Sequence, residues 1–520
     1  MQENSNQDNT IKNHEYKDTT MHNKQKPKRK FPSTNPFPFN YREWLPNIDM
    51  SLLLSKLQNK DYLIRVMSYN ILCDSLLPIS TKIPETATSQ FPYLQWTYRA
   101  KQLLNEITQV SPDIICFQEI ERDENYFIPG MHSQGFEIAI KPRTGEHSEG
   151  CGIAWKKSKF NLNELYALEL NMNINRVKDL SELYDRDNIA LFAVLTLKSD
   201  PNRVILVCSS HLLFNTKRGD IKLGQTYQII HTLNILKANI ENTNKDNKVY
   251  IIFGCDLNCV PKSGIYKLLT QGSLNCEYID HYKLSGQDPD NLEYIYPATK
   301  IKSHLCARVS SKYNDDIPHK NNTNNQNEAV QRNRMYNNIK WYNEMTRVEP
   351  VLIVEDNNNN NAKYVKLDYK NNFRYKESEL VLNIPFKLSS AYSVVPTNIL
   401  KYLEHPEKEN KKIPFSLIDN KNVFDGVEIN CIKIFVNELN KTLDYAKKLT
   451  KDVSYTSYSS FTITATDYIF YYGNDINCIR ILNLPDVFEI TFDVGFLPTN
   501  EFPSDHLSLA ADFVIGEINN

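Results

Sequence analysis

A set of polar residues closes several apolar runs of this chain, where they could hold a hard cation or a phosphate. Asn70 ends RVMSYN, Glu119 follows the apolar ICFQ, and Asp256 with Asn258 ends KVYIIFGCDLN; toward the C-terminus come Asp467, Asp505 and His506. Carboxylates and amide oxygens without a paired thiolate favour Mg²⁺ or Mn²⁺ over zinc. A cation of that kind polarises a phosphoryl oxygen and stabilises a leaving alkoxide, while a carboxylate or histidine takes a proton from the attacking water. Taken singly, an Asp or Asn after a strand is commonly only a turn former. Glu119 is less easily dismissed, because turn chemistry does not call for Glu.

These residues are hundreds of positions apart, so the elements that carry them must converge. RVMSYNIL, DIICFQEI, RVILVCSSHLLF, KVYIIFGCDLN and TDYIFYY read as buried strands, and the stretches 98–109 and 221–240 carry apolar residues at helical spacing. Alternating strands and helices predict an α/β architecture, whose sites form at the carboxyl ends of strands. In SDHLSLAADF, the alternation of Leu507, Leu509, Ala511 and Phe513 predicts a half-buried strand with His506 on the face opposite that apolar set.

The 520 residues fit about three domains at roughly 150 each, or one large α/β enzyme with insertions. The 60 basic and 62 acidic side chains nearly cancel, so nucleic-acid contact would need a local basic patch. With 15 glycines, collagen-like and Gly-rich linker classes are excluded. No apolar run reaches bilayer-spanning length, and the polar first residues do not resemble a secretory signal. The 10 cysteines form no C-x-x-C pair and read as reduced thiols, which predicts a cytoplasmic protein, or a nuclear one. The signatures of zincins, α/β-hydrolases, Rossmann dehydrogenases and P-loop NTPases are absent from the sequence. Residues 1–60 read as a disordered polar arm and lead-in containing the basic cluster KPKRK, and 61–515 as one catalytic domain. An Asn-rich stretch, about 311–361, reads as a surface insertion.

Taken in order, SYN, QE, SSHL, DLN, DYIF and SDH resemble the endonuclease/exonuclease/phosphatase superfamily. HLLFNTKRGDIKLGQ from His211 is similar to the Angel branch, a relative of the cytoplasmic deadenylases and nocturnin, and LQWTYR, EGCGIAWKKSKF, DRDN, KLSGQ and FKLSSAYS support that assignment. The resemblance implies a four-layered α-β-β-α sandwich with a metal, Mg²⁺ or Mn²⁺, at one edge. It implies Glu119 as principal metal ligand, Asn70 nearby for metal or phosphate, and Asp505 beside the metal. Asp256 would orient or deprotonate the nucleophilic water, Asn258 would hold a phosphate oxygen, and His211 would hydrogen-bond the scissile phosphate. His506 would complete the site, with Asp467 holding its tautomer. One departure is Cys255, standing where the family usually has Gly before its D-x-N element. Either Cys255 replaces that glycine or the strand end carries an extra residue.

The Angel likeness points to RNA, with Lys217, Arg218 and Lys222 as backbone-phosphate contacts and Phe461 or Tyr468 as a base-stacking aromatic. Two RNA 3′-end activities are implied: hydrolysis of a terminal 2′,3′-cyclic phosphate, or deadenylase-type 3′-to-5′ exonuclease action. Phosphoinositides, sphingomyelin and abasic DNA are the other esters cleaved by superfamily members. A different class of function is a scaffold that binds translation or RNA-decay proteins. Tyr98, Leu103 and Leu104 match the Y-x-x-x-x-L-apolar pattern that binds the cap-binding initiation factor, although the same stretch reads as an amphipathic core helix. The sequence leaves oligomeric state open.

Overall fold

The computed structural model describes residues 42–45, 50–83, 90–171, 186–261, 263–275, 284–287, 352–354, 363–365, 381–393, 455–458, 463–485, 490 and 496–516. Two large sheets form its centre. The first has seven strands: β1 (Trp44–Leu45), β2 (Leu63–Asn70), β3 (Ile114–Ile120), β4 (Phe136–Pro142), β5 (Gly150–Lys156), β18 (Ile476–Leu482) and β19 (Leu509–Ile515), in the order β1-β18-β19-β2-β3-β5-β4. The second has eight: β6 (Phe160–Glu169), β7 (Ile189–Leu197), β8 (Asp200–His211), β9 (Lys248–Asp256), β11 (Leu352–Val354), β12 (Lys363–Val365), β14 (Ser389–Ser390) and β17 (Asp467–Tyr472), in the order β12-β11-β6-β7-β8-β9-β17-β14. Two small pairs flank them: β10 (Ser273–Asn275) with β13 (Val381–Asn383), and β15 (Ser457–Tyr458) with β16 (Ile463–Thr464).

Period-two alternation splits each central strand between two cores. On β2 and β3, Val66 and Cys116 face the second sheet, whereas Met67, Tyr69, Ile115 and Phe117 pack under the helices Trp96–Val110 and Phe127–Ser133. The helices Gly219–Thr243 and Gly264–Gln271 join the core of the second sheet. The result is helix, sheet, sheet, helix: the four-layered α-β-β-α sandwich. The sheets approach closely at Gly254, where an added Cβ would lie 2.5 Å from the Cys116 Cβ.

Among the described pairings only β2–β3 and β8–β9 are parallel, and each needs a crossover helix, Trp96–Val110 for one and Gly219–Thr243 for the other. The carboxyl ends of both pairs therefore open on the same edge of the sandwich, which is where Asn70, Glu119, His211 and Asp256 lie.

Three expectations about organisation change. The fold reaches back to Arg42: Trp44–Leu45 pairs with β18, and Arg42 is buried, donating to Glu106, Ser508 and the Asn483 carbonyl. The Asn-rich stretch contains β11, whose Leu352 and Ile353 are buried against β6, so the insertion cannot run unbroken to 361. His506 precedes β19 rather than starting it, and β19 is buried on both faces, Ala510 packing with the helix Trp96–Val110 while Ser508, just before the strand, donates to Glu106 of that helix. All of 1–41, and the Asn-rich stretch apart from Leu352–Val354, lie outside the described residues.

Candidate active site

Strand register builds the first half of the site. In the second sheet His211 pairs with Asp256 and Asp256 pairs with Asp467, so three adjacent strands set these side chains in one row. The register through Cys255 is regular on both sides, Ser210 opposite it on β8 and Tyr468 on β17. There is no extra residue; Cys255 simply replaces the glycine as a buried strand residue.

Glu119 needs more than register. On an unbroken β3 it would follow Ile115 and Phe117 toward the helices. Instead a bulge falls between Gln118 and Ile120, and Glu119 takes φ +51°, a conformation rare for non-glycine residues. The bulge re-aims its carboxylate toward the strand ends. Asn70 then links the sheets. Its Oδ1 accepts the Leu72 N–H at 3.1 Å, leaving its Nδ2 to donate to Glu119 Oε1 at 2.9 Å and to Asp256 Oδ2 at 3.2 Å.

Three carboxylate oxygens here are buried without a hydrogen-bond partner among the described residues: Glu119 Oε2, Asp505 Oδ1 and Asp467 Oδ1. Ser80 donates to the other oxygen of Asp505 at 2.6 Å. Burial pushes the Glu119 carboxyl above the ordinary range and the nearby Asp505 charge pushes it further, against His211, His506 and Asn70. Two buried carboxylates close enough for one to raise the other's proton affinity, each with a bare oxygen, suit a hard divalent cation. Glu119 and Asp505 are thus the residues fit to hold Mg²⁺ or Mn²⁺.

Across Asp256 lies a histidine pair. Asn258, in the left-handed region at φ +48°, receives its turn from Asp256, whose Oδ1 accepts the Asn258 N–H at 2.9 Å. The Asn258 amide donates to His211 Nε2 at 2.9 Å and to the Leu212 carbonyl at 3.0 Å. His211 Nε2 is thereby the acceptor, and the proton sits on Nδ1, which lies 3.8 Å from Glu119 Oε1. His506 Nδ1 pairs with Asp467 Oδ2 at 2.8 Å, its Nε2 lying 3.9 Å from Asp256 Oδ2. Burial alone would lower the His506 pKa, but Asp467, with help from Asp505 and Asp256, holds it well above the ordinary histidine range. Burial raises the Asp467 carboxyl despite His506 and the donating Thr456 hydroxyl. Asp256, Asp467 and His506 offer ligand atoms all within 4.8 Å of one another, so this cluster is also compact enough for a cation.

Some expected contacts are placed elsewhere. Lys222 is fully buried, and its Nζ donates to the Asn258 carbonyl at 2.6 Å and to Gln287 Oε1 at 3.2 Å. It therefore does not face a phosphate from solvent. Burial lowers its pKa to about 8. Arg218 forms a two-pronged pair with Asp220, at 3.0 and 2.9 Å, so its phosphate role would require giving that pair up. Tyr468 is a core aromatic, stacked on Phe470 and donating to the Cys259 carbonyl, and cannot stack a base. Phe461 lies outside the described residues. Leu103 is fully buried and Leu104 partly so, while Tyr98 donates to the Asn500 carbonyl, which leaves no exposed Tyr-Leu motif. Ser80 and Thr456 were missed, and Asn188 and Gln225, which close the DRDN and HLLFNTKRGDIKLGQ stretches, were given no role; all four support site residues from loops or helices, where no strand-end pattern marks them.

The Endonuclease/Exonuclease/phosphatase family model matches residues 67–506, spanning every site position from Asn70 to His506. The chain belongs to the Endonuclease/Exonuclease/phosphatase family. Within that family it is Angel-like. It is 36% identical over 230 residues to protein angel homolog 2 of Bos taurus, covering 43% of this chain and 40% of that protein. It is 31% identical over 262 residues to carbon catabolite repressor protein 4 homolog 3 of Arabidopsis thaliana, covering 50% of this chain and 53% of that protein. The matches thus span about half or less of these relatives. The crystal structure of ANGEL2, a 2′,3′-cyclic phosphatase, in complex with adenosine-2′,3′-vanadate superposes at TM-score 0.51 with 24% identity, over 87% of this chain and 95% of that one. This last likeness is one of fold.

Proposed function

We propose that this protein is a divalent-metal-dependent phosphoesterase that hydrolyses a terminal 2′,3′-cyclic phosphate on RNA. The observation that carries the phosphoesterase reading is the pair of bare, buried oxygens of Glu119 and Asp505 beside Asp256 and the His506–Asp467 pair. Similarity to protein angel homolog 2 and to the ANGEL2 fold supports the RNA-end substrate. A bound Mg²⁺ or Mn²⁺ would supply Lewis-acid polarisation of the phosphoryl oxygen.

The chain's own groups divide the remaining work. Asp256 Oδ2 is the candidate base for the attacking water. His506, held protonated through the neutral range by Asp467, presents its Nε2–H to a phosphoryl oxygen and stabilises charge as it develops. His211 offers its Nδ1 proton to the same phosphate, its Nε2 being fixed by Asn258. Water adds to phosphorus, one ring P–O bond breaks, and the departing ribose oxygen takes a proton, leaving a phosphomonoester.

A second reading is deadenylase-type 3′-to-5′ exonuclease action, which uses the same attack on phosphorus; similarity to carbon catabolite repressor protein 4 homolog 3 favours keeping it. One experiment tests both. Purified full-length protein with Mg²⁺ is given two labelled RNAs, one ending in a 2′,3′-cyclic phosphate and one in an oligo(A) 3′-hydroxyl, with Glu119→Ala as the contamination control. Opening of the cyclic phosphate by wild type alone is the expected result. Shortening of oligo(A) instead selects the exonuclease, and turnover of neither overturns the RNA-end reading.

A further inference from the structure

The crossover helix Gly219–Thr243 reaches the site through two buried side chains on its first turns. Lys222 Nζ holds the Asn258 carbonyl at 2.6 Å, with Gln287 Oε1 as its other acceptor. Gln225, one turn on, accepts the Leu213 N–H at 3.0 Å and donates to Asn188 Oδ1 at 2.9 Å, and Asn188 in turn donates to the His211 carbonyl at 2.9 Å. One helix face therefore grips the backbone of both His211 and Asn258, whose side chains are hydrogen-bonded to each other at 2.9 Å.

A buried lysine beside a strand end is a poor way to gain stability. Taking an ammonium out of water is costly, and an apolar side chain of similar volume often serves as well or better. Asn258 explains its presence. In the left-handed conformation, its carbonyl points into the protein beneath the site, where three donors on one flexible stem can meet it and Gln287 together.

We propose that Lys222 is a positioning residue of this active site, acting through the Asn258 carbonyl to set the His211–Asn258 pair, with Gln225 and Asn188 bracing the His211 side of the same pair. The inference rests on the phosphoesterase reading above. Lys222 touches neither phosphate nor metal; loss of its grip lets the Asn258 turn relax and releases His211 Nε2 from its fixed acceptor role.

The test uses full-length protein, Mg²⁺ and RNA ending in a 2′,3′-cyclic phosphate. Lys222→Met should lower kcat about 10²-fold, the scale at which small misplacements act, with KM within about threefold and Tm unchanged or raised by removal of the buried charge. Combined with Asn258→Ala, it should add less than about threefold to the loss of Asn258→Ala alone, because the two act as one unit. Gln225→Leu, a second variant in case Lys222→Met does not fold, should lower kcat by about tenfold. The ring ¹⁵N resonances of His211 should move in Lys222→Met as they do in Asn258→Ala. A kcat within threefold of wild type, fully multiplicative losses, or a lowered Tm with unmoved His211 resonances would each overturn the proposal. If wild type turns over no RNA, the functional reading fails by itself, and the His211 resonances still decide whether Lys222 positions the pair.

Discussion

The two ends of the sandwich treat their carboxylates in opposite ways. At the amino ends of β2, β8 and β9, the buried Asp512 and the half-buried Asp200 and Asp475 each meet a cation. Asp512 lies between Arg65, at 2.6 Å, and Arg480, at 2.5 Å, both guanidinia also stacking on Trp44. Asp200 pairs with Arg203 and Asp475 with Lys248, and the hydrogen bond from Lys248 helps hold the Asp475 carboxyl below its ordinary range. At the carboxyl ends of the same strands, Glu119, Asp256, Asp467 and Asp505 have no lysine or arginine hydrogen bond among the described residues. Their partners are amides, hydroxyls and imidazoles, and burial holds Glu119 and Asp467 above their ordinary range. One end is neutralised by the chain itself; the other is left needing a cation from outside. The difference separates a pole that stabilises from a pole that reacts.

The sharpest way to break this contrast is at Glu119. Glu119→Gln keeps an acceptor for Asn70 but removes the charge, and should reduce turnover by about 10³-fold or more while the fold persists, since Lewis-acid assistance worth several kcal/mol is lost. Unchanged turnover would remove Glu119 from the metal. Asp467→Asn should cost about 10²-fold in kcat, because His506 loses the group that keeps it protonated; a loss under threefold would make the pair structural. At the other pole Asp512→Asn should behave in reverse. It leaves two arginines facing an amide, lowering stability by about 3 kcal/mol in denaturant titration while leaving kcat within twofold. A fall in kcat without a fall in stability would merge the two poles.

Smaller effects should appear in the pH dependence of Tm, measured with a chelator present. Glu119 is raised, so its ionisation opposes folding: stability is greatest while it is protonated and falls as pH rises through its folded-state value. Glu119→Gln should thus gain Tm at neutral pH. Asp475 is lowered, so its contribution is present at neutral pH and disappears as pH falls through its folded-state value. Asp475→Asn should therefore lose Tm. Both differences should shrink toward zero in acid, Glu119→Gln below about pH 4 and Asp475→Asn at still lower pH. Curves that run parallel at all pH values would refute the charge assignment.

Much of the reactive pole was legible because apolar runs stop abruptly there. Asn70, Asp256 and Asp467 could be picked out as strand termini since strands buried on both faces tolerate polar residues only at their ends. The direction of Glu119 was not legible: it depends on a bulge and a positive φ that no residue pattern around ICFQEI announces. Lys222 was misread because a lysine in a basic segment is ordinarily solvated, and only the pairing of a buried ammonium with a main-chain carbonyl, invisible in sequence, reverses that. Trp44–Leu45 and Leu352–Val354 escaped notice as strands because two or three residues beside polar, low-complexity text carry too little periodicity to be read. Their contacts are long-range, with β18 and β6, so local pattern could not supply them.

Calorimetric titration of Mn²⁺ into the full-length protein addresses the contrast at its source. Wild type and Asp512→Asn should bind the ion with similar affinity, and Glu119→Gln should bind it about tenfold more weakly or worse. Equal binding by wild type and Glu119→Gln would contradict the account, since the bare oxygens at the strand ends would then not be where the cation sits.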